Sequence, residues 1–178
     1  TLTDPSQTVV GAGTLTFQFG TYGGSAAEGG TGTPTFTANP DQSVKTVTID
    51  STNNTLYGIR DAINKANIGV QASVINDGNG WRLSLGSTAS GADNSLKISV
   101  SGDSEGTDTD MTGLSRLAYD PTLAVGAGQD MIQTLAGRNA RAVIDGLTVT
   151  SASNTFDKAI DKVSFTVSSV DTTAATLN

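Results

Sequence analysis

The stretch Thr55-Leu56-Tyr57-Gly58-Ile59-Arg60-Asp61-Ala62-Ile63-Asn64-Lys65-Ala66, running on into Asn67-Ile68-Gly69, decides the fold. Leu56, Ile59, Ile63 and Ala66 follow one another at steps of three, four and three, which gathers them on one face of a helix. Asn54 or Thr55 can serve as N-cap, accepting a hydrogen bond from an otherwise orphan backbone N–H. Gly69 stands where a left-handed residue would end the helix. Gly58 costs the first turn roughly 0.5–1 kcal/mol relative to Ala. A short helix with that flaw cannot rest on its own propensity and has to dock on a sheet.

The flanks supply the sheet. Upstream, Leu15, Phe17 and Phe19 alternate with Thr14, Thr16 and Gln18, a half-buried strand over Thr14–Phe19. Val47 and Ile49 repeat the pattern in Lys45–Asp50, a partner strand. Between them Gly20–Pro34 is rich in Gly, Thr and Ala and reads as a long surface loop. Downstream, Val70, Ala72 and Val74 alternate up to Asp77-Gly78-Asn79-Gly80, a strong turn signal. Trp81, Leu83 and Leu85 then alternate on the return, so Val70–Leu85 is a hairpin. Leu96, Ile98 and Val100 form another strand. The acidic run Ser101–Asp110 has no large apolar residue and reads as a solvated loop.

Met111–Gln129 reads as a connection: Leu114, Leu117 and Tyr119 can pack, and Pro121 breaks any helix there. Beyond it, Arg141–Ile144 and Leu147–Thr150 flank Asp145-Gly146, a pair suited to a type I′ turn with φ > 0 at both central residues. A two-residue loop pairs Ile144 with Leu147 and Ala142 with Val149, all on one face. Phe156 and Ile160 suggest one helical turn, Val163, Phe165 and Val167 a final strand, and the chain after Asp171 looks frayed or truncated. The fold class is α+β, predominantly antiparallel β, in two small units, the first with one short helix packed on a sheet.

Composition narrows the function. The 178 residues include no Cys and no His. Zinc and copper sites, thiol nucleophiles and Ser–His–Asp catalysis all need those side chains. Ten Lys plus Arg against 17 Asp plus Glu give a net charge of −7, so no basic stripe is available for nucleic acid. The apolar fraction is 36% and the apolar runs are short, so no segment reads as a membrane span. Thr1 and Asn178 look like cut points in a longer protein. Fixed repeats and heptads are absent.

Three patterns resemble chemistry and fall short of it. Gly102-Asp103-Ser104-Glu105-Gly106 has the spacing of a nucleophile elbow, but the chain has no His and Thr107–Asp110 has no helical face. Asp103, Glu105, Asp108 and Asp110 offer oxygens to a hard cation, yet their spacing misses the EF-hand template. Asn53-Asn54-Thr55 fits a glycosylation acceptor and reads first as cap chemistry. No catalytic, cofactor-binding or metal-ligating residue is assigned, no cofactor is expected, and the chain is read as no enzyme.

Two stretches carry a resemblance. The first is Thr55 to Asn64 with Gly69-Val70-Gln71-Ala72-Ser73, continued by Asn76-Asp77-Gly78-Asn79-Gly80-Trp81-Arg82-Leu83-Ser84-Leu85. The second is Asn139-Ala140 through Asp145-Gly146-Leu147-Thr148-Val149, then Ser153-Asn154-Thr155 and Ala159-Ile160. The first is similar to the hook IN motif of flagellar axial proteins. Both resemble the flagellar filament cap proteins, also called flagellar hook-associated protein 2. One departure is Asp161-Lys162-Val163, where the family often has a Gly before the Val.

The resemblance implies a secreted structural protein at the tip of the bacterial flagellum, exported through the flagellar channel. It implies a homo-oligomeric ring, with head and leg domains, that promotes folding and insertion of flagellin subunits. Residues 11–125 would be one outer head domain with the hook IN motif. Residues 126–178, with or without 1–10, would be a second head domain truncated at its end, and either can be inserted in the other. Absence of Cys suits a chain that travels unfolded and uncrosslinked. The alternative is an adhesin-like module binding host glycan or mucin through Gly20–Pro34 and Ser101–Asp110, since loops on rigid scaffolds are where binding sits. Neither reading includes nucleic acid or membrane insertion.

Overall fold

The computed structural model describes residues 4–27 and 29–169. Its organising element is β1 (Gly13–Gly23), which is longer than its apolar alternation predicts. On one side β1 pairs antiparallel with β6 (Ser95–Ser101), setting Leu15 opposite Val100, Phe17 opposite Ile98 and Phe19 opposite Leu96. Its other side takes two strands end to end. β3 (Lys45–Ile49) lies along its first half, and β2 (Thr35–Ala38) along its second.

The Gly-rich stretch is thus only partly a loop. Gly20–Gly23 continues β1, Gly24–Ala26 forms one 3-10 turn, and β2 begins at Thr35. Gly20 is needed there, because a Cβ would come within 2.3 Å of the Thr37 carbonyl oxygen and 2.6 Å of the Phe36 ring. Two residues on, Tyr22 and Phe36 face each other across the strands with ring centroids 5.0 Å apart.

The helix α1 spans Leu56–Ala66 as the spacing predicts and buries Leu56, Ile59 and Ile63. Thr55, in extended conformation, is the N-cap: its Oγ1 accepts from the Gly58 N–H at 3.2 Å. Asn67, not Gly69, takes the left-handed position that ends the helix, at φ 48°. An Asn tolerates this region because its short side chain can bond locally. Gly69 is also left-handed, at φ 81°, but it serves the entry into the next strand.

Gly58 is no flaw. A Cβ there would lie 2.5 Å from the Asn53 carbonyl oxygen and 2.8 Å from its Cα, so the turn before the helix can pack this close only over glycine. The helix is pinned to β4 (Val70–Asn76) by Asn64, which behaves like a strand partner. Its Oδ1 accepts from the Ala72 N–H at 2.8 Å and its Nδ2 donates to the Ala72 carbonyl at 2.9 Å. β4 pairs with β5 (Trp81–Ser87) in the expected hairpin, and Val74, Trp81, Leu83 and Leu85 lie against the core around the helix.

Residues 114–119 pack into the core built by the preceding elements, so Met111–Gln129 is not a bare connection. Leu114, Leu117, Ala118 and Tyr119 join the core that also holds Val10, Phe17 and Ile63. Tyr119 exchanges backbone hydrogen bonds with Ile98, N···O 2.8 and 2.9 Å, which extends the sheet past β6. The lack of strand alternation hid this, because a single bridge residue leaves no period.

Two further hairpins follow. β7 (Ala140–Ile144) and β8 (Leu147–Ser151) pair in the predicted register, Ile144 with Leu147 and Ala142 with Val149. Asp145 at φ 48° and Gly146 at φ 82° are the two left-handed residues of the turn. β9 (Thr155–Ile160) pairs with β10 (Val163–Thr166), so Phe156 and Ile160 sit on a strand and not on a helical turn. A spacing of four fits both periods, and Lys158, which a helix would turn away from them, leaves the pattern looking helical; the pairing with β10 decides for the strand. Phe156 is buried and stacks on Phe165, centroids 5.0 Å apart and planes 4° from parallel. Lys162, just before Val163, stands at φ 58°, so a side chain is carried in the left-handed region. The chain after Asp171 lies outside the described residues.

Candidate functional site

The acidic residues, first in line for chemistry, are occupied in building turns. Asp4, Asp50, Asp110 and Asp120 each use Oδ1 to accept both the N–H and the hydroxyl of the Ser or Thr two residues on. This D-x-[S/T] pattern is a local device that satisfies its own polar groups and demands no distant partner. For Asp4, Asp50 and Asp110 the bonds to that Ser or Thr hold the carboxyl below the usual carboxylate range.

Asp103 is the exception in the acidic loop, since it is buried. Its Oδ2 accepts from the Ser115 N–H at 2.7 Å, tying the loop to the 3-10 turn Ser115–Leu117. Gly113, at φ 49°, is the neighbour that makes room: a Cβ there would lie 2.5 Å from the Asp103 carboxylate. Ser104, the serine of the elbow-like pattern, is likewise structural. Its N–H donates to the Ala12 carbonyl at 2.9 Å and its Oγ accepts from the Ala12 N–H at 3.3 Å. The Ser115 hydroxyl donates to Asp110 Oδ1 at 2.9 Å, so the loop Ser101–Asp110 is stapled at both ends. Among the described residues, no group of three His, Cys, Asp or Glu is placed to hold a metal ion. Nor is any helix among them long and apolar enough to cross a membrane.

Asp120 organises the packed segment. Buried at 4% exposure, it meets the Lys97 ammonium at 2.7 Å and takes both Thr122 donors. Burial pushes its carboxyl up, but the hydrogen bonds and charge of Lys97, with Thr122, outweigh that and hold it below the usual range. Asp130 differs. Its Oδ2 is buried without a hydrogen-bond partner, and burial, aided by the charge of Asp110, raises its pKa. Burial also drives the Tyr22 hydroxyl well above its ordinary value, and that hydroxyl donates to the Leu96 carbonyl at 3.0 Å.

What remains for function is surface. Asn53 of the acceptor pattern is locked into the turn, its Oδ1 accepting from the Asp50 N–H at 2.8 Å. Trp81 is half-buried against the core and meets Tyr57 edge-on at 6.2 Å, and Arg60 lies over the Tyr57 ring at 4.5 Å. Large apolar side chains stand in solvent, among them two sequence groups besides the separate Val9, Val44 and Ile75. Met111, Leu123 and Val125 belong to the loops after β6, and Val143, Leu147 and Val163 to the late hairpins. Between these, Ile132 and Leu135 are 86% and 87% exposed. Two-stranded hairpins with so little buried beneath them call for packing against another surface. The described surface thus carries exposed aliphatic side chains on a hydrogen-bonded frame. Sequence patterning marks the β4–β5 and β7–β8 hairpins but not β9–β10, names Asp103 only as an oxygen donor for a cation, and misses Asp120 and Asn64; the D-x-[S/T] setting is the signal that could have marked Asp120.

No protein-family model matches the chain. The B-type flagellar hook-associated protein 2 of Pseudomonas aeruginosa is 42% identical over 136 residues, which cover 73% of this chain and 28% of that relative. The chain thus spans under a third of the length of the curated relatives it matches. The crystal structure of the D2–D3 domains of the flagellar cap protein FliD from Escherichia coli matches 94% of this chain and 72% of its own, with TM-score 0.72 and 30% identity. FliD (HAP2) from Pseudomonas aeruginosa matches 96% of this chain and 66% of its own, with TM-score 0.67 and 35% identity.

Proposed function

We propose a role that proceeds from family membership: this chain belongs to the flagellar cap protein family. It acts as the head of a cap at the outer end of the flagellar filament, where it is a non-enzymatic structural part. The observation that supports this most is coverage: one alignment runs through both units, 94% of the chain, against a solved D2–D3 pair. The two units, 11–125 and 126–178, correspond in this reading to the two head domains. Heads assemble side by side through the exposed aliphatic surface of the late hairpins, forming a homo-oligomeric ring. Flagellin subunits exported through the channel fold and insert beneath that plate. The net charge of −7 makes neighbouring heads repel modestly, so assembly is helped by salt.

The glycan-binding alternative draws on two loops, of which one is stapled at both ends and the other is shortened by β1 and β2. No observed feature favours it over the cap reading.

A chimera tests the proposal. This chain replaces the matching segment of the Pseudomonas aeruginosa relative, in cells lacking that relative, and filament length is scored by electron microscopy. Filaments of normal length are expected. A folded, exported chimera that leaves cells without filaments would overturn the head assignment. Deleting the segment altogether should abolish growth; filaments without it would show that the head is dispensable.

A further inference from the structure

The turn between β4 and β5 holds the chain's single Asn-Gly pair, Asn79-Gly80. Several features there converge on one reaction. Asn79 is exposed and its side-chain amide makes no hydrogen bond, so the Cγ carbonyl is open to attack. The Asn79 N–H is fixed by Asp77 Oδ1 at 2.9 Å, which anchors the residue on its N-terminal side. The turn closes by one bond only, from the Asp77 N–H to the Gly80 carbonyl at 3.2 Å. The return bond from the Gly80 N–H is not made, so that nitrogen is free. Gly80 has no Cβ to obstruct its approach to Asn79 Cγ.

Other candidate pairs are blocked. In Asn94-Ser95 the following N–H is held by the Ala92 carbonyl. In Asn154-Thr155 it donates to Ser153 Oγ at 3.2 Å. In Asp77-Gly78 it donates to Asn76 Oδ1 at 2.8 Å, and the carboxylate there is a poor electrophile in any case. Asp145-Gly146 shares that poor electrophile.

We propose that Asn79 is a site of self-modification, where the backbone converts the asparagine to aspartate and isoaspartate without an enzyme. The Gly80 nitrogen attacks Asn79 Cγ and forms a new N–C bond. The Cγ–Nδ2 bond breaks, and the proton from Gly80 leaves with the departing ammonia. Water then opens the five-membered imide at either carbonyl. The balance is one asparagine plus one water giving one aspartate or isoaspartate plus one ammonia, with no oxidation or reduction. Isoaspartate adds a methylene to the backbone, so the closing bond between Asp77 and Gly80 is lost and the strands on either side fray. The new carboxylate stands beside Asp77, whose partner is Arg82.

The folded protein is held at neutral and at mildly alkaline pH at physiological temperature, beside a peptide spanning 76–82. Peptide mapping with isoaspartate detection follows the mass gain of one dalton at each asparagine. Conversion is expected first at Asn79, several-fold faster than at Asn94 or Asn154, rising with pH and approaching the peptide's rate. Trp81, the single tryptophan and two residues from the site, should shift in emission as isoaspartate accumulates but not in the Asn79→Asp variant. A folded protein whose Asn79 persists while the peptide converts would overturn the proposal, as would earlier conversion at Asn94 or Asn154. Asn79→Ala should remove the converting species and leave Trp81 emission steady with time; continued drift in that variant would also count against it.

Discussion

Replacing Gly58 by Ala sets two physical effects against each other, and the structure fixes the sign. In a helix interior Ala is preferred over Gly by about 0.5–1 kcal/mol, so propensity alone makes Gly58→Ala stabilising. The packing points the other way. The added Cβ would meet the Asn53 carbonyl oxygen at 2.5 Å and its carbonyl carbon at 2.7 Å, where ordinary contact begins at 3.4 Å. The turn before the helix must therefore retreat by about 0.9 Å at its tightest point. That turn cannot yield cheaply. Asn53 is bonded to the Asp50 N–H at 2.8 Å, and the Asn54 carbonyl accepts from the Val10 N–H at 2.8 Å. Overpacking of this kind costs about 1–3 kcal/mol. Subtracting the propensity gain from the middle of that range leaves a net loss of roughly 1 kcal/mol.

Gly86→Ala is the matched control, because a Cβ there meets nothing within 4 Å. It should be neutral or stabilising by up to about 1 kcal/mol through the unfolded chain. Urea unfolding followed by Trp81 emission and by circular dichroism gives both numbers on one scale. Equal or greater stability of Gly58→Ala would refute the reasoning, because it would mean the turn relaxes without cost.

Asp120→Ala should cost about 2–4 kcal/mol at neutral pH, since it strands Lys97 and two Thr122 donors in a mostly buried setting. The Asp120 carboxyl sits below its ordinary pKa in the fold, so its contribution is complete above the usual carboxylate range and falls as pH drops through the folded value. Thermal scans across pH should therefore show wild type and variant converging in acid, and a constant gap would contradict the ion-pair account. Asp130→Asn should raise the melting temperature at neutral pH, because the raised pKa marks a carboxylate that folding disfavours. The gain should vanish in acid, where Asp130 is protonated; a loss at neutral pH would mean that the carboxylate has a partner. Gly146→Val should destabilise the β7–β8 hairpin, since a β-branched residue resists the φ of 82°. Unchanged amide-exchange protection across β7 and β8 would argue against that turn.

Where a period survives over several residues the sequence was readable. Leu15, Phe17 and Phe19 alternate cleanly, as do Trp81, Leu83 and Leu85, and both strands lie where the alternation puts them. The helix was readable for the same reason. Legibility failed where one residue does the work of an element. Phe36 alone carries the apolar character of β2, and Tyr119 alone bridges to Ile98. Phe156 and Ile160 failed differently, because their spacing satisfies helix and strand together. Polar anchors were hidden most deeply: Asn64 and Asp103 look like surface residues until the backbone they bond to is placed beside them. The contact surface was partly legible. Leu147 and Val163 were assigned to strands, but nothing in the pattern told that one side of those strands would remain uncovered.

The central position of β1 has a bearing on how the molecule acquires its shape when the chain appears from its amino end. β1 comes early, yet its long pairing is with β6, and Thr14 must wait for Ser101 before that ladder can close. Closing so wide a loop is entropically slow, and topologies built on distant partners fold later than those built on near ones. In the interval β3 can join the first half of β1 and β2 the second, leaving the backbone groups on the β6 side of β1 unpaired. A bare apolar strand is the usual starting point for association with a neighbouring chain. The rate-determining event is then the arrival of β6, and substitutions in Ser95–Ser101 should slow folding more than equally disruptive ones in the late hairpins.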